Sequence, residues 1–209
     1  MLVCDIMTSP VVSVSPGTTL EQACLLMHEK GIRHLPVLDG PRLVGVVTDR
    51  DVHGATSVLC TTPANMQTRV GTIMSHPVHT AVPGDPVEEA ASTMRGLKIG
   101  CLPVTEHNRV VGIITGIDLL DALLRLTGVT APTARLEVKL SARPGELTRL
   151  TAAAGQGNLG IHSILTYPDE SEGVRTVLRV STSDTRQVAT RLRDAGFEVL
   201  WPPARPWTV

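Results

Sequence analysis

The stretch GVVTDRD, residues Gly45–Asp51, returns 67 residues later as GIITGID, residues Gly112–Asp118. In both copies apolar, mostly β-branched residues run into a threonine, and an aspartate follows three residues beyond it. The apolar run predicts a buried strand, and the acid is typical of the first turn of a helix, where free amides and the helix dipole favour a carboxylate. The sequence therefore predicts two equivalent strand-to-helix corners.

Each corner carries a threonine and an aspartate, Thr48 with Asp51 and Thr115 with Asp118. A carboxylate at such a corner can accept hydrogen bonds from both vicinal hydroxyls of a ribose, and the threonine adds a third polar contact. A single pair of this spacing is equally well explained as a helix cap. Two copies in register favour a ribonucleotide-binding interpretation.

The composition is that of a globular protein, with 42% hydrophobic and 19% charged residues in a chain of 209. A net charge of -1 provides no field for nucleic acid or an anionic membrane, and no uninterrupted apolar run is long enough to span a bilayer. The cysteines are far apart and predict neither a zinc knuckle nor a disulfide framework. We expect a soluble, reduced protein of the cytoplasm.

An internal repeat extends well beyond the two corners. Residues Val3–Val52 align without a gap to Val70–Leu119, and nineteen of the fifty positions are identical. Two copies of this length indicate a paired module that buries a shared face, because a solenoid needs at least three repeats.

Local signals predict the order strand, helix, strand, strand, helix in each copy. Val11–Val14 is expected to be a short strand, and Thr18 with Glu21 forms a capping box for the first helix. In the second copy Asp85 is the expected cap and Pro86 the first helical residue. The remaining predicted strands of the first copy are His34–Leu38 and Leu43–Thr48.

The repeated segments resemble the CBS domain family, and the tandem resembles a Bateman module. The resemblance covers residues 1 to about 127 and is carried by Ile-Met, Leu-Pro-Val and Gly-x-x-Thr-x-x-Asp segments, each present twice. It implies an α/β fold with one CBS domain in residues 1–68 and a second in 69–128, followed by a linker at 129–133.

The resemblance also implies that the clefts between the halves bind AMP, ADP, ATP or S-adenosylmethionine, with no required cofactor and no metal. Asp51 and Asp118 would hold ribose hydroxyls, and the segments around Ile32–Pro36 and Ile99–Pro103 would line the adenine and phosphate regions. The expected binding residues are Thr48, Asp51, Thr115, Asp118, Arg33, His34, Arg50, Lys98, Val12 and His79.

The two sites are not expected to be equivalent. The first copy has Arg33 and Arg50 where the second has Gly100 and Ile117. Phosphate therefore has better cationic partners in the first copy, although Lys98 is available in the second. A solvated surface role is an equally good interpretation of Arg50 and Lys98.

The helix that follows Asp118 has a wide apolar side, which predicts packing on the module and on a second subunit. From Arg135 onward the pattern predicts a βαββαβ order, which is ferredoxin-like. This part, residues 134–201, resembles an ACT domain through Arg143–Leu147 and Gly160-Ile161. The resemblance implies an amino-acid ligand or a dimer contact, but Ala142 stands where an acidic residue is common. A tail, 202–209, contains Trp207.

A CBS pair followed by an ACT-like domain resembles the accessory protein family of bacterial acetoin-utilisation operons. This implies a homodimeric regulatory protein that is not an enzyme and that senses an adenine nucleotide. One alternative is a dimeric scaffold with empty clefts. A less favoured one is an enzyme that uses Cys101 or a histidine, and His76 with His79 is a weak metal candidate.

Overall fold

The computed structural model describes residues 1–156, 159–170 and 172–204. The chain divides into two units, Met1–Ala122 and Leu123–Val209. The first repeat contains α1 (Leu20–Lys30), β1 (His34–Asp39), β2 (Arg42–Thr48) and α2 (Asp49–Thr56). The second repeat contains α3 (Val87–Leu97), β3 (Cys101–Glu106), β4 (Arg109–Thr115) and α4 (Gly116–Thr127).

Each repeat is built on one antiparallel hairpin. Leu35 pairs with Val47 across β1 and β2, and Leu102 pairs with Ile114 in the same register across β3 and β4. All four side chains are fully or almost fully buried. Since alternate residues of a strand face opposite sides, one face of each hairpin forms a core with its helices, and the other face is left for the opposite repeat.

The two hairpins meet through that second face. Val46 on β2 and Ile113 on β4 form a small buried cluster with Cys101, and Val11 and Val78 pack against it. The paired module predicted from the repeat is therefore one structural unit, with an apolar contact at its centre.

The two repeats also exchange their leading segments. Val3 and Met7 pack in the core of the second repeat, whereas Val70 and Met74 pack in the core of the first. Backbone hydrogen bonds fix the exchange, with Thr8 N donating to the carbonyl of Ile113 at 2.9 Å and the equivalent bonds joining Val46 and Ser75. Neither repeat is therefore a self-contained domain in space.

The exchanged methionines explain one glycine in each repeat. A methyl group at Gly45 would lie 2.4 Å from the sulfur of Met74, and one at Gly112 would lie 2.5 Å from the sulfur of Met7. Only glycine leaves room for a methionine of the other repeat at these points.

Some of the local predictions were displaced by a residue or were too long. The α1 capping box is formed by Thr19 and Gln22, whereas Thr18 bonds to Ser15. The residue that caps α3 is Pro86, so the helix begins at Val87. Of the strand predicted at Val11–Val14, one bridge remains, from Val14 to Val37.

Asp85, the predicted cap of α3, accepts a hydrogen bond from Val82 N at 2.8 Å. Its carboxylate therefore closes the turn before the helix. The turn competes with the cap for the same side chain, since aspartate satisfies backbone amides in both settings.

The second unit confirms the ferredoxin-like prediction. It contains β5 (Ala134–Leu140), α5 (Glu146–Ala154), β6 (Ile161–Pro168), β7 (Val174–Val180), α6 (Thr185–Asp194) and β8 (Glu198–Trp201). The strands form one antiparallel sheet in the order β6-β7-β5-β8. Leu136, Leu178 and Leu192 lie at the centre of its core.

Trp207 and the rest of the tail beyond Ala204 lie outside the described residues. Within the described ranges, none of the helices has the length and the hydropathy that a membrane span requires.

Candidate functional site

The first corner joins β2 to α2 through a reciprocal hydrogen-bond box. The amide and the hydroxyl of Thr48 donate to Oδ2 of Asp51 at 2.9 and 2.8 Å, and Asp51 N donates to Thr48 Oγ1 at 3.2 Å. Both residues are half-buried. No partner is described for Asp51 Oδ1, so one carboxylate oxygen is fixed and the other is available to a ligand.

The second corner repeats this geometry between β4 and α4. The amide and the hydroxyl of Thr115 both donate to Asp118 Oδ2 at 2.7 Å. Again the structure describes no partner for the other oxygen. The internal repeat therefore reproduces the orientation of the carboxylate as well as its position in the sequence.

The cap and the ligand-site interpretations of these pairs are compatible in this geometry. The threonine hydroxyl gives its proton to the aspartate, so it orients the carboxylate and has only lone pairs left for a ligand. In the ligand-free chain the threonine thus has a positioning role, and its expected direct contact with a ligand would be made as an acceptor.

The first turn of α2 satisfies its own amides. Asp49 N donates to the carbonyl of Arg33 at 3.1 Å, and Arg50 N donates to Asp49 Oδ1 at 2.8 Å. The Asp51 amide is taken by Thr48 Oγ1. An anion at this corner must therefore be held by side chains rather than by the helix terminus.

His34 connects the first corner to the second repeat. It is half-buried, and a methyl group at Gly100 would lie 2.5 Å from its Nε2. Burial lowers the pKa of His34, and the Asp49 carboxylate only partly opposes this effect. Gly100, which stands in the second repeat where the first has Arg33, therefore leaves room for the imidazole of His34.

Cys101 occupies the position in the second repeat that His34 has in the first. It is buried, and burial, with a smaller contribution from the Asp51 carboxylate, raises its pKa to about 12. A thiol that stays protonated at neutral pH does not suit a nucleophile, which acts as the thiolate.

The other predicted binding residues are more exposed. Arg33, Arg50, Lys98 and His79 all lie on the surface, while Val12 is half-buried against the core of the first repeat. No ion pair of these cations is described. Lys98 ends α3 in the left-handed conformation, with φ of 56°.

The histidines of the weak metal candidate, His76 and His79, are both exposed. In the described part of the chain, no three histidine, cysteine or acidic side chains converge as metal ligands.

The sequence prediction did not single out a pocket between α1 and α2. Arg33 and Asp49 line it together with His53. A comparison of the two repeats could have indicated this pocket, because Arg33, Asp49 and His53 are polar in the first repeat only. The second repeat has Gly100, Gly116 and Leu120 at these positions.

In the second unit, an ion-pair network lies on the sheet face opposite the core. Glu137 is buried and accepts hydrogen bonds from Tyr167 and from Arg135. Burial acts to raise the pKa of Glu137, but these hydrogen bonds and the Arg175 charge outweigh it and lower the pKa. Arg175 also pairs with Asp169.

The predicted ACT loop, Arg143–Leu147, leads into α5 through Gly145, whose φ of 87° suits glycine. The loop residues up to Gly145 are exposed, and so is Ala142. No side-chain contact of Arg143 is described that would define a ligand site there.

The fold and its two corners define a class of protein, a paired α/β repeat module followed by a ferredoxin-like domain. The chain belongs to the CBS domain family, whose sequence profile matches residues 3–57 and 70–125. The second unit matches the profile of the TTHA0829-like ACT domain over residues 133–201. Both family resemblances and the fold class predicted from the sequence are thereby confirmed.

Among curated proteins, a homoserine O-acetyltransferase of Methanococcoides burtonii is 36% identical over 119 residues. The match covers 56% of this chain and 23% of that protein. The chain therefore spans about a quarter of the length of the first curated relatives it matches, and the similarity concerns a part of them.

Several solved structures resemble the module, three of them as follows. The CBS domain pair of protein MJ0100, in complex with 5'-methylthioadenosine and S-adenosyl-L-methionine, has 29% identity and a TM-score of 0.54, covering 59% of this chain and 95% of its own. A protein from Vibrio cholerae described as a putative acetoin utilization protein (AcuB) has 31% identity and a TM-score of 0.54. The match covers 62% of this chain and 95% of the Vibrio cholerae chain. CBSX2 in complex with AMP has 27% identity and a TM-score of 0.53, and the match covers 60% of this chain and 97% of the CBSX2 chain.

Proposed function

We propose that this chain is a regulatory protein that binds an adenosine nucleotide or a related adenosyl compound in the clefts of its CBS pair. The observation that carries the proposal is the repeated corner, in which a threonine fixes one oxygen of Asp51 or Asp118 and leaves the other for a ligand. Two adjacent ribose hydroxyls are donors of the kind that such an oxygen accepts.

The structural neighbours support the choice of ligand class. One of them was solved with two adenosyl compounds and another with AMP. A core almost without aromatic residues also favours a base held between aliphatic side chains, because only 2% of the chain is aromatic. The contacts proposed beyond the two corners are those of Arg33, His34, Arg50, Lys98, Val12 and His79.

Calorimetric titration with AMP, ADP, ATP and S-adenosylmethionine tests the proposal. We expect saturable binding of at least one of them, and Asp51→Ala and Asp118→Ala should each weaken binding at its own corner by about tenfold or more. A hydrogen bond to a charged group contributes about 1.5–3 kcal/mol, and about 1.4 kcal/mol corresponds to a factor of ten.

The matched control is Asp121→Ala, which removes an exposed acid from the same helix as Asp118 without touching the corner. It should bind as the parent protein does. If the folded double variant Asp51→Ala, Asp118→Ala still bound these ligands with unchanged affinity, the assignment would be wrong.

A dimeric interaction scaffold with empty clefts is the second candidate. The observation in its favour is α4, where Ile117, Leu120 and Leu124 are 41–56% exposed although they are large and apolar. Such a stripe is typical of a protein contact surface. The two candidates separate in the same titration, since a scaffold would bind none of the four ligands.

We further propose that the ACT domain is the element through which an amino-acid signal or a second subunit reaches the protein. The similarity to the Vibrio cholerae protein supports a role near acetoin metabolism. Sedimentation of the purified chain with and without ligand would report both the homodimer and its response.

A further inference from the structure

A pocket of about 460 Å³ opens between the C-terminal end of α1 and the start of α2. This volume lies within the range of about 300–1,000 Å³ that is common for small-molecule sites. Thr48, Asp51 and His34 do not line it, whereas Arg33, one of the residues proposed to contact the nucleotide, does.

The floor of the pocket is apolar. Met27 is buried, and Cys24 and Ile32 are half-buried beside it. Burial raises the pKa of Cys24, and the nearby Asp49 carboxylate raises it further, so the thiol stays neutral and adds to the apolar wall. These side chains can pack against an aliphatic group of a ligand.

Two opposite charges line the pocket without neutralising each other. Asp49 N donates to the backbone carbonyl of Arg33, so the two residues are adjacent, yet no ion pair between their side chains is described. Asp49 Oδ1 is taken by Arg50 N, whereas no partner is described for Oδ2. Arg33 is exposed.

His53 adds an acceptor next to Asp49. Its Nδ1 lies 2.7 Å from the carbonyl oxygen of Asp49. Since a carbonyl only accepts, Nδ1 carries the proton, and in the neutral ring Nε2 is left as an acceptor. The C-terminal end of α1, which is the negative end of its dipole, also borders the pocket.

We propose that this pocket binds a free α-amino acid with an aliphatic side chain. Arg33 pairs with the carboxylate, Asp49 Oδ2 and His53 Nε2 accept from the ammonium group, and Met27 and Ile32 cover the side chain. A phosphate dianion fits less well, because the Asp49 carboxylate lies in the pocket and repels it, while the opposite dipole ends of α1 and α2 border the pocket together.

The second repeat contains a natural comparison for this site. It keeps the apolar floor at Met94 and Ile99, but Gly100, Gly116 and Leu120 replace the charged and histidine groups. The proposal therefore expects one amino-acid site per chain. It does not rest on nucleotide binding, although Arg33 is also among the contacts proposed there.

L-leucine is the probe for a calorimetric test on the full chain. We expect saturable binding with one site per chain, and at least tenfold weaker binding of 4-methylpentanoate, which lacks only the ammonium group, and of isoamylamine, which lacks only the carboxylate. Asp49→Asn and Arg33→Ala should each weaken leucine binding at least tenfold. Asp49→Asn keeps the Oδ1 acceptor that the fold uses.

Two control variants complete the design. Asp51→Ala should leave leucine binding intact while it weakens nucleotide binding, so the two sites fail independently. Asp39→Asn removes an exposed acid of the same repeat away from the pocket and should change nothing. His53→Ala is a milder second variant and should weaken leucine binding while the protein remains folded by circular dichroism.

Three results would overturn the proposal. The first is no saturable binding of leucine by the folded chain. The second is leucine binding that Asp49→Asn and His53→Ala leave unchanged, which would assign the ligand to another site such as the ACT domain. The third is inorganic phosphate that binds more tightly than leucine and displaces it, which would identify an anion pocket.

Discussion

The Thr48 hydroxyl serves both the fold and the proposed ligand site. It accepts a hydrogen bond from the Asp51 amide and donates one to the Asp51 carboxylate, so the same group caps α2 and orients the oxygen that we propose as the ligand acceptor. A residue with this double role couples stability to binding.

Replacement of this threonine should separate its two roles. Thr48→Ala removes the cap, and we expect a loss of about 1 kcal/mol in the free energy of unfolding, measured with urea. Nucleotide affinity should fall less than in Asp51→Ala, because the carboxylate remains but is no longer fixed. Thr48→Ser should restore both. A loss equal to that of Asp51→Ala at unchanged stability would instead indicate direct contact with the ligand.

The lowered pKa of His34 leads us to expect that the stability of the protein depends on pH. Burial holds its pKa below the usual 6.5, so in the acidic range the unfolded chain binds more protons than the folded one. The contribution of neutral His34 is complete above about pH 6.5 and is lost progressively as the pH falls toward the lowered pKa. Arg33 acts in the same direction, whereas Asp49 and Asp51 oppose it.

Urea unfolding at pH 7.5 and 5.5 measures this effect. The drop in midpoint between the two pH values should be smaller in His34→Gln than in the parent protein. His107→Asn, on an exposed turn, should keep the parental drop. An equal drop in all three proteins would remove His34 as the cause.

At the scale of the element, the C-terminal ends of α1 and α3 can be compared by a pair of opposite substitutions. Gly31 and Lys98 occupy the same position, with φ of 63° and 56°. Lys98→Gly should raise the free energy of unfolding by up to about 1 kcal/mol, since a left-handed residue with a side chain is strained. Gly31→Lys should lower it by a similar amount. Thermal midpoints that move in neither variant would contradict this explanation.

The hairpins and most helices were predictable because their signals are local. Apolar runs predicted β1 and β2, and α1 ends at Gly31 in the left-handed conformation. The capping box of α1 was assigned one residue early, since Thr18 with Glu21 and Thr19 with Gln22 satisfy the same rule. Sequence spacing has no means to choose between them.

The candidate sites also differ in whether their residues are close together in the sequence. The threonine–aspartate corners lie within one short stretch each, so the sequence alone indicated them. The pocket between α1 and α2 was missed, because its floor at Met27 and its charges at Arg33 and Asp49 converge only after the helices pack. The segment exchange was missed for the same reason, since Met7 and Gly112 are far apart in the chain.

At the scale of the whole molecule, the contact between Gly45 and Met74 can be tested with a double-mutant cycle. Gly45→Ala should destabilise the protein by about 1–3 kcal/mol, because its methyl group would lie 2.4 Å from the Met74 sulfur. Met74→Ala alone should cost about 2–5 kcal/mol through a cavity. The double variant should cost less than the sum, because the new methyl group fills part of that cavity.

The equivalent cycle at Gly112 and Met7 provides the internal replicate. Strict additivity to within about 0.5 kcal/mol in both cycles would mean that the side chains do not meet in solution. Urea unfolding monitored by circular dichroism is sufficient for all six variants.

The exchanged segments have a consequence for synthesis on the ribosome. The core of the first repeat is incomplete until Val70–Ser75 has emerged, and Val3–Thr8 must wait for the second hairpin to receive it. A chain cut within the connector after Thr56 would yield two fragments, each holding the segment that the other lacks. Neither fragment would close its own core, and the two would recover the native fold only when mixed.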